Sequence, residues 1–430
     1  MSHPRIDALI IGAGLAGLTA ARLLNQQGLS CQLLEATESV GGRVKTDAFE
    51  GFLLDRGFQV LLSAYPECQA LLDYDRLQLK PFYNGSLIWT GQGFEKVADP
   101  WRHPWDAVQS VGNSIGTLMD KFKVAKLRQQ VLSGSHSSCF QSPETTTLAY
   151  LRNFGFSKNM IERFFRPFLG GIFLESDLAT SSRFFEFVFR MFALGDVVLP
   201  AHGMQAIPQQ LADGLPPGVL RLNAKVTRIE SGQSADQQGG QVTLASGETL
   251  SARAILLATD AKDAAELYPT LPPRAFNRVH CLYFAEPTAP LDLPILALNA
   301  QPGGLVNNLC VPSLVSPAYA PAGQHLISVS VLQTELSDDA LVAAVQEELQ
   351  GWFGNAVNNW RFLKAYTIHK ALPRLTIPEN TLTQAPARLG DGLFHCGDYL
   401  DTPSINGAMA TGRRAAQAIL ESLKTAVTTP

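Results

Sequence analysis

Ile6-Asp7-Ala8-Leu9-Ile10-Ile11-Gly12-Ala13-Gly14-Leu15-Ala16-Gly17 joins an apolar run to three glycines at fixed offsets, and Leu18, Ala21 and Leu24 then recur at the spacing of a helix face. Strand, glycine turn and helix, in that order, are what a dinucleotide pyrophosphate needs. Gly12 allows the tight turn, Gly14 lets the backbone approach without a Cβ in the way, and Gly17 lets helix and strand pack closely. The helix start at Leu15 and Ala16 aims free N–H groups and a positive dipole end at the phosphates. Gly28 closes that helix and Cys31-Gln32-Leu33-Leu34 reads as the second strand. Glu35, followed by Ala36, ends it where a carboxylate can accept hydrogen bonds from ribose hydroxyls.

Past Glu35 the chain runs through Thr37-Glu38-Ser39-Val40 into Gly41-Gly42-Arg43. Paired glycines expose backbone donors and the arginine adds a cationic fork for phosphate. With this extension the chain resembles the flavoprotein superfamily of flavin amine oxidases, protoporphyrinogen oxidases and phytoene-type desaturases. The resemblance implies FAD, with Gly41, Gly42 and Arg43 near the pyrophosphate and flavin. At the other end, Leu393-Phe394-His395-Cys396-Gly397-Asp398 reads as an apolar strand followed by an acid that can accept from a ribityl or ribose hydroxyl. A helix starting near Asn406, with Ser404, Ile405 and Ala408 around its first turn, aims its N-terminus at the pyrimidine edge of a flavin; that dipole stabilises charge there by about 1–2 kcal/mol.

Between these ends, Glu50-Gly51 suggests a hairpin and Asp55-Arg56-Gly57 a bend. By resemblance, Arg56, Gly57 and Phe58 neighbour the flavin ring, and the backbone of Val226 pairs with the adenine. Leu222–Ile229 is expected as a strand, Val242–Glu248 as a hairpin, and Ala254–Asp260 as a buried parallel strand whose Ala258-Thr259 end admits the cofactor. The implied fold is α/β: an FAD-binding Rossmann-like domain of the glutathione-reductase type, in three pieces (1–63, 199–261, 389–424), with an inserted mixed α+β substrate domain (64–198 and 262–388). In the insert, Tyr65-Pro66-Glu67 opens a helix, Tyr83–Ser86 looks like a hairpin turn, Asp99–Trp105 a proline-punctuated loop, and Ser133–Ser138 a flexible loop. Strands near Val279–Tyr283 and Leu326–Val331 and a helix near Asp338–Trp352 complete it.

Residues 160–192 carry an unusual phenylalanine density, from Phe164-Phe165-Arg166-Pro167-Phe168 through a turn at Pro167–Gly171 to Phe184-Phe185-Glu186-Phe187-Val188-Phe189-Arg190-Met191-Phe192. Two fates are open for these rings, an ordinary aromatic core or the wall of a pocket for a large apolar or conjugated substrate. This run resembles the protoporphyrinogen oxidase and phytoene desaturase branches. Two positions depart from the amine oxidases: Val279 falls where many of them carry a lysine beside the flavin, and Ser404 near where they place a caging tyrosine. His280 is a proton-transfer candidate, though a strand-edge histidine is more often structural, and Arg56 is the other candidate catalytic group.

Composition bounds the rest. The 430 residues carry 34 Lys and Arg against 38 Asp and Glu, a net charge of −4 with no long block of one sign, which points away from nucleic acid. The six cysteines are scattered without ligand spacing, so reduced thiols, no metal site and a cytoplasmic setting are expected. The first strand begins within a few residues of Met1, leaving no room for a signal peptide, and no apolar run is long enough to span a bilayer. Lys121–Arg128 is basic and partly amphipathic, a solvated helix face or a peripheral membrane contact. The activity implied is FAD-dependent hydride removal from a carbon of a hydrophobic, conjugated or isoprenoid-like substrate, with oxygen or a quinone as acceptor. The rivals are amine oxidation, flavin-dependent polyene cis–trans isomerisation, and a prenyl-lipid carrier of the same fold without flavin.

Overall fold

A computed structural model describes residues 6–109, 114–134, 136–231, 239–336, 338–377, 382 and 385–428. Ile6–Ile11 is a strand whose Ala8, Leu9 and Ile10 are wholly buried, as a strand covered on both faces must be. It lies parallel to Cys31–Leu34 on one side and to Thr249–Leu257 on the other, with Ile10 opposite Leu33 and Leu256. Leu393–His395 continues the parallel set beyond Thr249–Leu257. The eight strands of this sheet come from three separated stretches of chain, 6–34, 220–257 and 388–395.

Two ends of the polypeptide meet on this sheet. The first helix, Leu15–Gln26, packs against the last, Ile405–Thr428, so closely that a Cβ on Gly412 would come within 2.3 Å of the Ala16 carbonyl oxygen. A second, seven-stranded sheet takes its strands from 85–98 and 276–373. Phe276–Glu286 pairs antiparallel with both His325–Leu332 and the long edge strand Arg361–Pro373. Helix Asp338–Phe353 buries Leu341, Val345 and Leu349 with Leu282 and Phe284 from one face of that sheet. A small sheet of Leu61–Leu62, Val197–Leu199 and Lys80–Pro81 sits where the chain crosses between the two large ones.

Several local expectations are corrected. The expected strand 222–229 is broken into Leu220–Arg221 and Val226–Ser231, because Asn223 turns the backbone to φ +53°. Residues 254–257 belong to the same strand as the hairpin arm: Thr249–Leu257 pairs antiparallel with Gly240–Leu244 and then parallel with its neighbours. The loop before that hairpin includes 232–238, outside the described residues. Gly85 is not in a turn. It allows close cross-strand approach, since a Cβ there would meet the Val97 carbonyl oxygen at 2.6 Å, and the chain reverses instead at Thr90–Gly93. Pro167–Gly171 is helical, within Arg166–Phe173, and a Cβ on Gly171 would press on the Asn307 side-chain amide at 3.0 Å. A five-residue π turn, Ile161–Phe165, precedes it. In the expected loop 133–138, a helix runs to Ser133 and a 3-10 turn begins at His136, with Ser135 outside the described residues.

Candidate FAD site and the cavity beside it

The glycine turn is shaped by contacts that admit no side chain. Gly12 has φ +104° and a Cβ there would meet the Ala258 carbonyl oxygen at 2.8 Å; on Gly17 it would meet the Gly12 oxygen at 2.0 Å. Gly14 differs, because a Cβ would meet nothing within 4 Å and would stand in open space. The helix behind it has no side-chain cap, which leaves its first N–H groups to that space. Glu35 is held at the end of its strand: the Ala13 amide donates to Oε2 at 2.8 Å, and the Thr37 amide and hydroxyl donate to Oε1 at 3.0 and 2.8 Å. Acceptor capacity remains on Oε2, which takes only the Ala13 amide.

Arg43 and Asp398, 355 positions apart, form an ion pair of 2.5 Å, and Arg43 also donates to the Ala371 carbonyl. Burial alone would lower the Arg43 pKa; the Asp398 carboxylate reverses that, so the guanidinium stays charged. Ser404 accepts from the Gly407 amide at 3.0 Å and caps the last helix.

All of this borders one cavity of about 1800 Å³. Its lining includes Gly12, Gly14, Leu15, Ala16, Glu35, Ala36, Gly41, Gly42, Arg43, Gly57 and Phe58 from the N-terminal part. Val226, Ala258, Thr259, Gly397, Asp398, Ser404, Ile405 and Ala408 line it from the rest of the chain. Gly17 and Asn406 do not. Gly17 serves helix–strand packing, and the Asn406 side-chain Oδ1 accepts from the Glu67 amide at 3.1 Å, capping a neighbouring helix.

The far part of the cavity is aromatic. The phenylalanine run divides its labour: Phe173, Phe185 and Phe187 are buried core, while Phe164, Phe168, Phe189 and Phe192 are half-buried and line the cavity. Phe164 stacks on Phe168 at 5.4 Å between ring centroids, and Phe168 meets Phe192 at 5.2 Å.

The two candidate catalytic residues fare differently. Arg56 lines the cavity, but its guanidinium grips Asp47 through two nitrogens, at 3.1 and 2.9 Å. His280 does not line it. Alternation along Phe276–Glu286 turns Val279 toward the cavity and puts His280 on the opposite face with Leu282 and Phe284; its Nδ1 lies 3.0 Å from the Thr367 hydroxyl. Its candidacy for proton transfer is therefore withdrawn. Sequence reasoning missed the polar group around Asp47, where the Tyr366 hydroxyl donates at 2.7 Å and Lys364 sits 4.8 Å from the Tyr366 ring centroid. No local signal marked it: both phases of the edge strand, Tyr366 and Ile368 as well as Thr367 and His369, reach the cavity, and Asp47 and Arg56 come from a distant hairpin.

FAD fits what is present. The open space before Gly14, the uncapped helix start and the two positive-φ glycines at 41 and 42 suit a pyrophosphate, Glu35 a ribose, and Asp398 with the last helix the flavin end. The sequence matches the family model for flavin containing amine oxidoreductase over residues 15–420. It is 27% identical to protoporphyrinogen oxidase 2 of Arabidopsis thaliana over 38% of this chain and 31% of that protein. To 15-cis-phytoene desaturase of an Oncidium hybrid cultivar it is 22% identical, over 99% of this chain and 79% of that one. Among solved structures, cyclohexylamine oxidase from Brevibacterium oxydans shares the fold with a TM-score of 0.74, at 17% identity over 98% of this chain and 100% of that one. The chain thus belongs to the flavin containing amine oxidoreductases, as an FAD-binding oxidoreductase of that family.

Proposed function

We propose that this protein removes a hydride from a carbon of a hydrophobic, extended substrate, of the conjugated or isoprenoid kind, with FAD as the immediate acceptor. The observation that carries the reading is the cavity. Pockets for a single ligand run to about 300–1000 Å³, and about 1800 Å³ leaves room for a second molecule beside the dinucleotide. The wall away from the nucleotide is built of Phe164, Phe168, Phe189 and Phe192. FAD, when bound, supplies the hydride-accepting chemistry. The residues of the chain hold an apolar substrate and exclude water from it, and the reaction needs no side-chain nucleophile.

Amine oxidation is the weaker reading for two reasons elsewhere in the cavity lining. Val279 cannot hold a water as a lysine would, and the Asp47 carboxylate that could attract an ammonium is already matched by Arg56 at 2.9 Å and Lys364 at 3.8 Å. The test is anaerobic mixing of the flavin-loaded protein with porphyrinogens, acyclic carotenoid precursors and amines, following the loss of oxidised-flavin absorbance. Bleaching by a polyene or porphyrinogen but by no amine supports the proposal, and bleaching by amines alone overturns it. A polyene that isomerises without net oxidation only after the flavin has been reduced beforehand would assign the isomerase chemistry, and a protein that takes up no FAD the carrier role. For the acceptor we propose oxygen or a quinone, separable by the reoxidation rate with each.

A further inference from the structure

We infer that the rim of the aromatic end of the cavity docks on an anionic lipid surface. Nine large apolar side chains are exposed among the described residues, and five of them lie between Trp101 and Phe122. Trp105 is 83% exposed, Phe122 72%, Leu118 60%, Met119 59% and Trp101 48%. Scattered singly, such residues need no explanation, but five within one stretch of chain, with Trp101 seated against the helix through Arg128, expose apolar surface that water covers at a cost.

The patch stands at the cavity. Helix Leu118–Ser133 lines the aromatic end with Lys121, Val124 and Arg128, and turns Leu118, Met119 and Phe122 outward from its first turns. Pro100, Trp101 and Pro104 line the same end. Trp101 is fixed against this helix, with the Arg128 guanidinium 4.7 Å from its ring centroid.

Charge selects the partner. On a chain of net charge −4, this helix start carries Lys121, Lys123 and Lys126, while its one acid, Asp120, is fully buried as a capping residue bonded to Thr117 and Ser157. Lys123 donates to the Gly155 carbonyl, which brings in the exposed Arg152 and Lys158 of the neighbouring turns. Apolar rings beside a lysine rim match the boundary of an anionic leaflet, where rings enter the acyl region and amines stay at the headgroups. No helix among the described residues is long and apolar enough to cross a membrane, so the contact is peripheral. Entry of an apolar substrate from the leaflet into the cavity follows only if the proposed substrate class is right; lipid binding itself does not depend on it.

The test is co-sedimentation of the flavin-loaded protein with phosphatidylcholine vesicles, with and without about a quarter phosphatidylglycerol. Binding is expected to the anionic vesicles, to fall in high salt, and to fall about tenfold or more for Phe122→Asp and for Trp105→Asp. Neutralising Lys126 and Lys158 together (K126Q with K158Q) is expected to weaken it about twentyfold. Flavin absorbance and circular dichroism show whether each variant is folded, and two separate apolar variants guard against one failing. No binding to anionic vesicles, binding indifferent to phosphatidylglycerol and salt, or variants that bind like the parent would each overturn the inference. So would self-association without vesicles that Phe122→Asp abolishes, which would assign the patch to a second copy.

Discussion

Near Gly14 the cavity wall is backbone, and near Phe168 it is side chain. At the first end, the glycines meet carbonyl oxygens at distances that forbid a Cβ, and the groups offered to a ligand are amides, a helix terminus and two fixed carboxylates. At the second, rings from a π turn, two helices and a proline-rich loop converge, and none of them is fixed by a backbone requirement. Backbone recognition suits a part of the ligand that never changes. Side-chain walls can be altered residue by residue without touching the cofactor, and so suit the part that differs between relatives.

The largest effect expected from breaking this contrast is at Gly17. A Cβ at 2.0 Å from the Gly12 oxygen leaves strand and helix no way to stay packed, so Gly17→Ala should cost about 4 kcal/mol or more and yield no FAD-loaded protein. Gly14→Ala is its counterpart, since a methyl there meets no protein atom. It should leave the apoprotein within about 0.5 kcal/mol of the parent while weakening FAD roughly tenfold. Denaturant unfolding of apoprotein and flavin titration separate the two, and equal behaviour of the pair would refute the division into packing and ligand-facing glycines.

Asp55 lies at the join between the two regions. It is buried, accepts from the Thr46 hydroxyl and the Met204 amide on the nucleotide side, and from the Tyr319 hydroxyl on the other. Burial, only partly offset by those bonds, pushes its carboxyl up to about 6 from an ordinary 3.8. The folded state then keeps a proton that the unfolded chain has lost, so stability should fall by about 3 kcal/mol as pH rises from about 4 to about 6, and level off above. Asp47, Asp120 and Asp260 are shifted down and act in the opposite direction at lower pH. Comparing denaturation midpoints of the parent and Asp55→Asn across that window isolates the contribution. A parent slope no steeper than the variant's would remove it.

Asp398→Ala should come next, at about 2 kcal/mol. It strips the Arg43 guanidinium of its carboxylate partner, while the part-exposure of Arg43 lets water soften the loss. Because the pair ties residue 43 to residue 398, FAD affinity should fall along with stability. Unfolding and flavin titration both read this, and a change in only one would mean that the pair serves only that end.

How much could be read from the sequence follows the same division. The nucleotide site was legible because each demand there has its own residue type at a fixed spacing: Gly12, Gly14 and Gly17, then Glu35, then Gly397-Asp398. Gly17 keeps the packing role that its place in the motif gave it, while the Asn406 side chain at the start of the last helix meets the Glu67 amide of a neighbouring helix, which no local pattern announces. The aromatic end could be read only as a density of rings, since which phenylalanine faces inward depends on the π turn at Ile161–Phe165 and on helix packing. The broken strand at Asn223, the helical Pro167–Gly171 and the Asp47, Arg56 and Tyr366 group depend on contacts between distant segments that no local window holds. For His280 the structural role, the commoner one for such a histidine, is where the geometry points, because Val279 next to it takes the strand phase that faces the cavity.

The smallest expected change in stability, and the sharpest probe of the aromatic wall, is at Phe168. A fully buried phenylalanine costs about 3–5 kcal/mol when cut to alanine, but Phe168 already faces the cavity, stacks on Phe164 and meets Phe192 at a tilt. Phe168→Ala should therefore cost only about 1 kcal/mol, the value of lost ring contacts. Nothing in the backbone of the nucleotide end depends on it, so flavin content and flavin affinity should be unchanged. If the wall holds the substrate, KM for whichever compound reduces the flavin should rise about tenfold with kcat little altered, because the ring holds ground state and transition state alike. A fall in flavin affinity would show that the two ends are coupled. An unchanged KM would move the substrate away from these rings and toward the Asp47 and Tyr366 side of the cavity.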